Sequence, residues 1–491
     1  MKKYISIITA AALTIGIAGC KKGYLDQEVN PNSPSVTTPQ YTLAGALEQA
    51  ASIQEEDYPE YAVWGGYWCN ANDYVPNTQL AEFNVTVSNG FSPDAWTDLY
   101  GNLTNFNNLQ AISTGVAADG NFQAIAMIMK AYDFEELVDN FNNVPYSQAF
   151  NASKYLFPAY DTGQSIYNDL VKQLDAAITL IGASGSATNP GTSDIYYGGN
   201  MTNWAKFANT LKLRLAIHQS NLTTNAAQAD LASTASIGYI DATSEADAQP
   251  GYTDALGKEN PFYVTFGSDQ NGNPVFGYLY YVANVVAVNI MATYNDPRVD
   301  YFYAPLNGVI VTDQLGATHT NPQQASPIGT GLLQSPEQSA PVFSSYESYF
   351  LQSEAAARGW ISGGTAAAAT YYTDGINASF AALGAGSAAT YEAQVNVAYP
   401  TTGTIDNQVQ AIITQKYISL NGLFNLEAYN EFRRTGYPVL PQNPASADVA
   451  ANSQTLPTRL PYTIDELDNN PTSLAQQGVI NIFTSKIFWA K

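Results

Sequence analysis

Apolar residues recur along this chain at the three- and four-residue spacing that lays a single stripe on a helix. Thr38-Pro39 predicts a helix start, an N-cap followed by proline at the first helical position, and Leu43, Leu47 and Ala50 continue the buried face. Ser92-Pro93-Asp94 predicts a second start, with Trp96, Leu99, Tyr100 and Leu103 at helical spacing. Past a short loop at 113–120 come Phe122, Ile125, Met129 and Tyr132. Ile166, Leu170, Leu174 and Ile178 make the next stripe, and Trp204, Phe207, Leu211 and Leu215 the one after. Short connections between such helices predict antiparallel neighbours. His218 shares the last of these faces, which predicts a packed or capping histidine.

From about 240 to 343 the periodicity lapses, except at 280–294, and Gly, Pro, Asn and Tyr dominate. Helices return at Ser344, which with Glu347 matches a capping box. Phe350, Leu351 and Ala355 follow, Gly359 ends the segment, and alanine-rich 365–382 pairs with it as a hairpin. Val409, Ile412, Ile413, Tyr417 and Leu420 predict another helix, and 426–434 a short one closed by Gly436 and Pro438. From Leu440 onward the tail reads as Pro-rich loop. The pattern therefore predicts a mainly α protein: stacked helix pairs interrupted by long irregular insertions. Helix starts near 39, 93, 121, 162 and 203 keep no fixed repeat. Loops of that length inside a compact domain are usually functional.

Composition narrows the chemistry. The 491 residues include 19 Lys plus Arg against 42 Asp plus Glu, a formal net charge of −23. Such a surface repels phosphate backbones, so nucleic-acid binding is excluded. With His218 and His319 alone, Ser-His-Asp, Cys-His and multi-histidine metal chemistry have too few residues to work with. Lys2, Lys3, an apolar run at 5–17 and Ile17-Ala18-Gly19-Cys20 form a bacterial lipoprotein export signal over 1–19. Cys20 becomes the lipidated N-terminus, residues 20–39 its tether, and loss of Lys2 and Lys3 takes the charge from −23 to −25. No other stretch approaches the roughly 20 apolar residues that span a bilayer. Cys69 is left without a disulfide partner and is expected to be a buried, inert thiol.

Phosphate-binding, dinucleotide, zinc-protease and nucleophile-elbow motifs are all missing. Asp269-Gln270-Asn271-Gly272-Asn273 resembles a calcium loop only faintly, because its glycine is displaced and Tyr280 stands where a glutamate belongs. No metal or other cofactor is expected. Glu135-Glu136 lies within a helix and reads as solvated or structural. Aromatic density is the positive signal: Tyr58, Tyr61, Trp64, Tyr67, Trp68 and Tyr74, with Asn70, Asn72 and Asp73 among them. Flat rings stack on sugar faces while Asn and Asp take hydroxyl hydrogen bonds. Tyr61, Trp64 and Trp68 also sit at helical spacing, which fits a core stripe equally well.

Cys20-Lys21-Lys22, Tyr24-Leu25-Asp26 and Asn30-Pro31-Asn32 resemble the mature start of SusD/RagB-type nutrient-binding outer-membrane lipoproteins of Bacteroidetes. In the order expected of that family come Leu137-Val138-Asp139-Asn140-Phe141-Asn142-Asn143-Val144-Pro145-Tyr146 and Trp204-Ala205-Lys206-Phe207-Ala208-Asn209-Thr210-Leu211-Lys212-Leu213-Arg214. Asp296-Pro297-Arg298, Ser353-Glu354-Ala355 with Arg358-Gly359, Glu431-Phe432-Arg433-Arg434-Thr435-Gly436-Tyr437-Pro438 and Arg459-Leu460-Pro461-Tyr462 follow. The resemblance implies one SusD-like domain over 40–491, with a tetratricopeptide-like helical scaffold at about 40–235 and 344–383. It puts a loop-rich ligand-side half at about 240–343 and 384–491. It also implies a non-catalytic binder of a glycan or oligosaccharide, lipid-anchored at the outer membrane facing the cell exterior, serving a TonB-dependent SusC-like transporter. Lys21-Lys22 departs from the acidic residues that often follow the lipidated cysteine in surface-exported members. An oligopeptide ligand is the rival within that class, and a surface glycoside hydrolase using two carboxylates is the rival outside it. On the loop-rich half the expected ligand residues are Trp68, Asn72, Asp73 and Tyr74. Trp68 ends the helical stripe where a polar turn begins, and Tyr74 precedes Pro76 too closely to continue a helix. Tyr263, in Asn260-Pro261-Phe262-Tyr263, is expected on the same surface because the family fold brings it there.

Overall fold

A computed structural model describes residues 37–71, 74, 94–183, 185, 187–317, 324–441 and 456–491. The export signal, Cys20 with residues 20–36 of its tether, Asn72, Asp73, the Ser92-Pro93 start and His319 lie outside the described residues.

The stripes become helices. Helix α1 (Pro39–Glu56) starts where expected, with Pro39 at its first position after an extended Thr38, although the Thr38 hydroxyl makes no capping bond. Helix α2 (Pro59–Trp64) and strand β1 (Trp68–Asn70) follow, then α3 (Asp94–Ser113), α4 (Gly120–Phe141), α5 (Gly163–Ala183) and α6 (Met201–His218). Helix α1 packs on α3, and α3 to α6 each pack on the next. Leu99, Leu103, Ile125, Met129, Leu170, Leu174, Leu211 and Leu215 are all buried. Helix α4 is buried nearly all round, its Asp133, Glu135, Glu136 and Asp139 included, because neighbours cover it on every side.

The insertion carries short pieces too brief for periodicity to show. Strand β2 (Ala246–Ala248), helices α7 (Pro261–Phe266) and α8 (Phe276–Tyr280) and strand β3 (Tyr281–Ala283) precede the helix at Val285–Thr293 that falls within 280–294. Strand β4 (Ala340–Phe343) pairs antiparallel with β2, and β3 pairs antiparallel with β1, setting Trp68 opposite Ala283 and Asn70 opposite Tyr281. Trp68 therefore lies on a strand, not at the end of a helical stripe. The cause is Gly65-Gly66: Gly66 takes φ +78, and a Cβ there would lie 2.8 Å from Val286 Cγ1.

Helices α9 (Ser345–Ala357) and α10 (Gly364–Ala382) form the expected hairpin, and α9 also packs on α11 (Ile405–Leu420), which leads to α12 (Asn425–Thr435). Only half of the Ser344 capping box forms. Ser344 Oγ accepts from the Glu347 N–H at 3.2 Å, but the Glu347 carboxylate turns to Arg214 Nη1, also at 3.2 Å. A complete box caps α11 instead, between Thr404 and Asn407. Residues 456–491 of the tail are more regular than their composition suggests, with short helices at Ile464–Asn469 and Pro471–Ala475 and a fully buried Trp489. One continuous apolar core draws on residues from Leu43 to Trp489. Among the described residues no helix is long and apolar enough to cross a membrane.

A chain of buried charges threads this core. Arg214 pairs with Glu135 (2.8 Å) and Glu347 (3.2 Å), Lys416 with Glu427 (2.5 Å) and Glu431 (2.7 Å), and Arg434 with Glu354 (2.7 Å) and Glu431. Glu136 accepts from the Tyr58 hydroxyl at 2.7 Å. A buried charge without a partner is strongly destabilising, so these pairings hold the helices in one arrangement. The Glu135-Glu136 pair is structural and buried, not solvated.

Candidate functional site

The β1–β3 pairing brings Tyr74 to the insertion. The Ala71 N–H donates to Tyr280 O at 2.7 Å, and the Tyr74 N–H donates back to Ala71 O at 3.0 Å. The Tyr74 ring then meets two rings of α8 edge-on, Phe276 and Tyr280, each with centroids 5.7 Å away. Phe276 and Tyr280, one helical turn apart, stack at 5.2 Å with planes 23° apart. Phe276 is 64% exposed, Leu279 beside it is exposed, and Tyr74 and Tyr280 are half-buried. These rings form an open platform.

Trp68 lies beneath the platform. Its indole is fully buried among Phe266 (5.1 Å), Tyr281 (5.3 Å) and Phe262 (6.5 Å), and its Nε1 has no hydrogen-bond partner among the described residues. With no exposed surface it has no face on which a sugar could stack, so it supports the rings above it. That corrects its expected place among the contact residues. Tyr263 is half-buried on α7, which packs against α8. Asn260 caps α7, its Oδ1 accepting from the Tyr263 N–H at 2.9 Å, while its Nδ2 donates to Glu55 at 3.0 Å. Helix α8 sits so close to α7 that a Cβ on Gly277 would lie 2.2 Å from Thr265 O. Asn72 and Asp73 fall outside the described residues; of the expected set, Tyr74 lies among these rings and Tyr263 on the neighbouring helix α7.

Neither Phe276 nor Tyr280 is among the ligand residues expected from the sequence. The signal was present: four aromatics in Phe276-Gly277-Tyr278-Leu279-Tyr280-Tyr281, directly after a turn. That turn is the loop with the faint calcium likeness. Its Asp269 accepts from the Asn271 and Asn273 N–H groups, both at 2.9 Å, and from Asn273 Nδ2 at 3.0 Å. Those bonds, led by the Asn273 side chain, lower its pKa. The aspartate closes its own loop.

Among the described residues one trio presents ligand atoms within 4.8 Å of one another for a metal: Glu135, Asp139 and His218, all buried. Cations already occupy the space. Arg214 holds Glu135, and burial lowers the His218 pKa but the carboxylates of Glu427, Asp139 and Glu135 outweigh it and raise it above the usual imidazole value. A metal ion would have to displace the positive charge that balances these carboxylates.

A second pair of carboxylates lines a cavity of about 250 Å³ with Tyr346, Gln338 and Ser344. Glu245 and Asp247 stand two residues apart, and burial followed by the Glu245 charge pushes the Asp247 carboxyl up to about 7. Glu245 is partly occupied, accepting from the Ser345 N–H and hydroxyl at 2.9 and 2.7 Å.

A family model described as starch-binding and associating with the outer membrane matches residues 31–463. A chitin-binding SusD homolog from Flavobacterium johnsoniae shares the fold with a TM-score of 0.76 at 23% identity, over 91% of this chain and 98% of that one. A structure described as a chitin-binding protein gives 0.75 at 25% identity, over 92% and 100%. A SusD-like protein from Bacteroides thetaiotaomicron gives 0.74 at 23%, over 90% and 95%. No curated protein matches the sequence. With that model spanning most of the chain, and the fold shared with these structures over nine-tenths of its length, the chain belongs to the SusD-like family, whose members bind carbohydrate without catalysis in association with the outer membrane.

Proposed function

We propose that the protein captures an oligosaccharide at the cell surface on the platform of Tyr74, Phe276 and Tyr280, with Tyr263 at its edge, and delivers it to a TonB-dependent SusC-like transporter. The carrying observation is Phe276: a large apolar ring, 64% exposed and stacked on a second ring, is poorly placed for stability and well placed for a sugar face. Trp68 and Phe266 form the floor that fixes the platform. Asn72 and Asp73, between Ala71 and Tyr74 in sequence, would supply hydroxyl hydrogen bonds at its rim. Lipid on Cys20 would tether the molecule at the outer leaflet within reach of the transporter. Chitin- and starch-derived oligosaccharides head the list of ligands, since two similar structures are described as chitin-binding and the family model as starch-binding.

The test is calorimetric titration of the mature protein with chito- and malto-oligosaccharides, with unrelated oligopeptides as controls and chromatography for cleavage products. Binding without cleavage, weakened in Phe276→Ala, supports the reading. Peptide binding alone, or release of shortened sugars, overturns it.

A further inference from the structure

A cavity of about 390 Å³ beside the C-terminal end of α12 is anomalous for so acidic a chain, because among the described residues it is lined by Arg433, Lys486 and Lys491 and by no carboxylate side chain. These are three of the 19 Lys and Arg residues in the sequence, and among the described residues none of them forms an ion pair with Asp or Glu. Arg433 is 94% buried by its complement, being only 6% exposed. Its guanidinium is held by the faces of Tyr61, Tyr429 and Trp489, at 5.7, 5.5 and 5.3 Å. Nη1 donates to Thr458 O at 3.0 Å and Nη2 to Asn430 Oδ1, while Nε is buried with no acceptor among the described residues. A buried donor left unmade is costly, so the position favours a further acceptor.

The lysines stand ready to add charge. Lys486 Nζ donates once, to the Lys491 main-chain oxygen at 2.6 Å, and Lys491 Nζ once, to Thr435 O at 3.4 Å. An ammonium has three donors, so each keeps two. Even counting a main-chain carboxylate at Lys491 against them, the described lining stays positive by about two charges. Phe432, Pro457 and Phe483 give the remaining wall an apolar character.

We propose that this cavity is a binding site for a phosphate group. One buried guanidinium and two exposed ammonium groups match a tetrahedral oxyanion of charge about −2 better than a carboxylate of −1, which would leave cations unmatched. The phosphate can be free, carried on a sugar, or carried on a lipid headgroup, and the apolar wall accommodates the body of either carrier. The site is separate from the aromatic platform and stands or falls independently of it.

The experiment titrates the mature protein, at constant ionic strength set with chloride, with inorganic phosphate, glucose 6-phosphate, and phosphatidylglycerol against phosphatidylcholine vesicles. Saturable phosphate binding is expected, weakened at least tenfold in Lys486→Gln/Lys491→Gln, with melting temperature and oligosaccharide affinity unchanged. Both lysines are exposed, so this variant leaves the fold intact where Arg433→Met, which strips three rings of their cation, need not. Tighter binding of the sugar phosphate or of the anionic vesicles supports the site and identifies the carrier. No saturable binding to any of the three probes, or equal binding by the double variant, overturns it.

Discussion

His218 Nε2 lies 3.0 Å from Glu427 Oε2, with both side chains buried and Lys416 on the other oxygen of the same carboxylate at 2.5 Å. On its other edge, His218 Nδ1 faces the Tyr167 hydroxyl at 3.1 Å and Asp139 at 3.4 Å. The imidazole is thus a member of the ionic chain, not a spectator on an apolar helix face. Its charge state decides how well α6 is tied to α12.

The consequence for stability has a definite sign. The folded pKa of His218 is raised, so its contribution is fully present below the unfolded value near 6.5 and is lost as pH rises through the folded value. His218→Gln, which keeps a donor but removes the charge, should destabilise by about 2–4 kcal/mol at pH 6, where a buried carboxylate loses its partner. At pH 9 the penalty should be smaller. Urea unfolding of both proteins at the two pH values checks this; equal penalties would mean that the folded imidazole is neutral throughout.

The platform and its floor should separate under mutation. Phe276→Ala removes an exposed ring, so it should weaken oligosaccharide binding by roughly 5- to 50-fold, about 1–2.3 kcal/mol, and barely move the melting temperature. Trp68→Ala opens a cavity in a buried layer and should cost about 3–5 kcal/mol of stability. Denaturant midpoints and affinities measured on both variants decide it. A stable Trp68→Ala protein that has lost its ligand would return the indole to the contact surface.

How much of this was legible follows from range. Stripes such as Ile166, Leu170 and Leu174 needed only neighbours three or four residues away, and α5 formed as they predict. Tyr61, Trp64 and Trp68 obey the same spacing, yet the helix stops at Trp64, and Gly65-Gly66 was the local sign that it would. The platform joins Tyr74 to Tyr280 and the ionic chain joins Glu135 to Arg214 and Glu427, across separations that no window of periodicity covers. Exposure of Phe276 is likewise a property of the assembled surface. The ordered motifs of the family located the scaffold, but they are scaffold residues: Arg434 and Glu354 pair in the core and mark no ligand.

Helix α8 offers a test of positioning without deleting any ring. Gly277→Ala places a methyl 2.2 Å from Thr265 O, a backbone atom that cannot swing away, so α8 must shift off α7. Overpacking of this kind should cost about 1–3 kcal/mol. Because Phe276 and Tyr280 ride on the same helix, oligosaccharide affinity should fall together with stability, whereas Gly182→Ala, at an open position near the end of α5, should leave affinity unchanged and raise stability by up to about 1 kcal/mol. Unchanged affinity in a destabilised Gly277→Ala protein would show that the platform does not depend on the spacing of α7 and α8.

Cys20 and Cys69 are the two cysteines of the sequence, and one variant tests the fate assigned to each. Cys20→Ala removes the acylation site, so the protein should leave the membrane fraction and appear soluble in the periplasm. In that background Cys69 is the sole thiol. It is fully buried on β1, with Sγ 3.8 Å from both Val282 O and Ala283 O, and burial, then the nearby Asp313 charge, push its pKa well up. The thiolate is the reactive form, so the folded variant should resist a disulfide reagent such as dithionitrobenzoate at pH 8 and release about one equivalent only after denaturation. Membrane retention of Cys20→Ala would break the anchor assignment. Rapid labelling of the folded protein would break the assignment of Cys69 to a sealed strand pair, and with it the packing of β1 on β3 that carries Tyr74 to the platform.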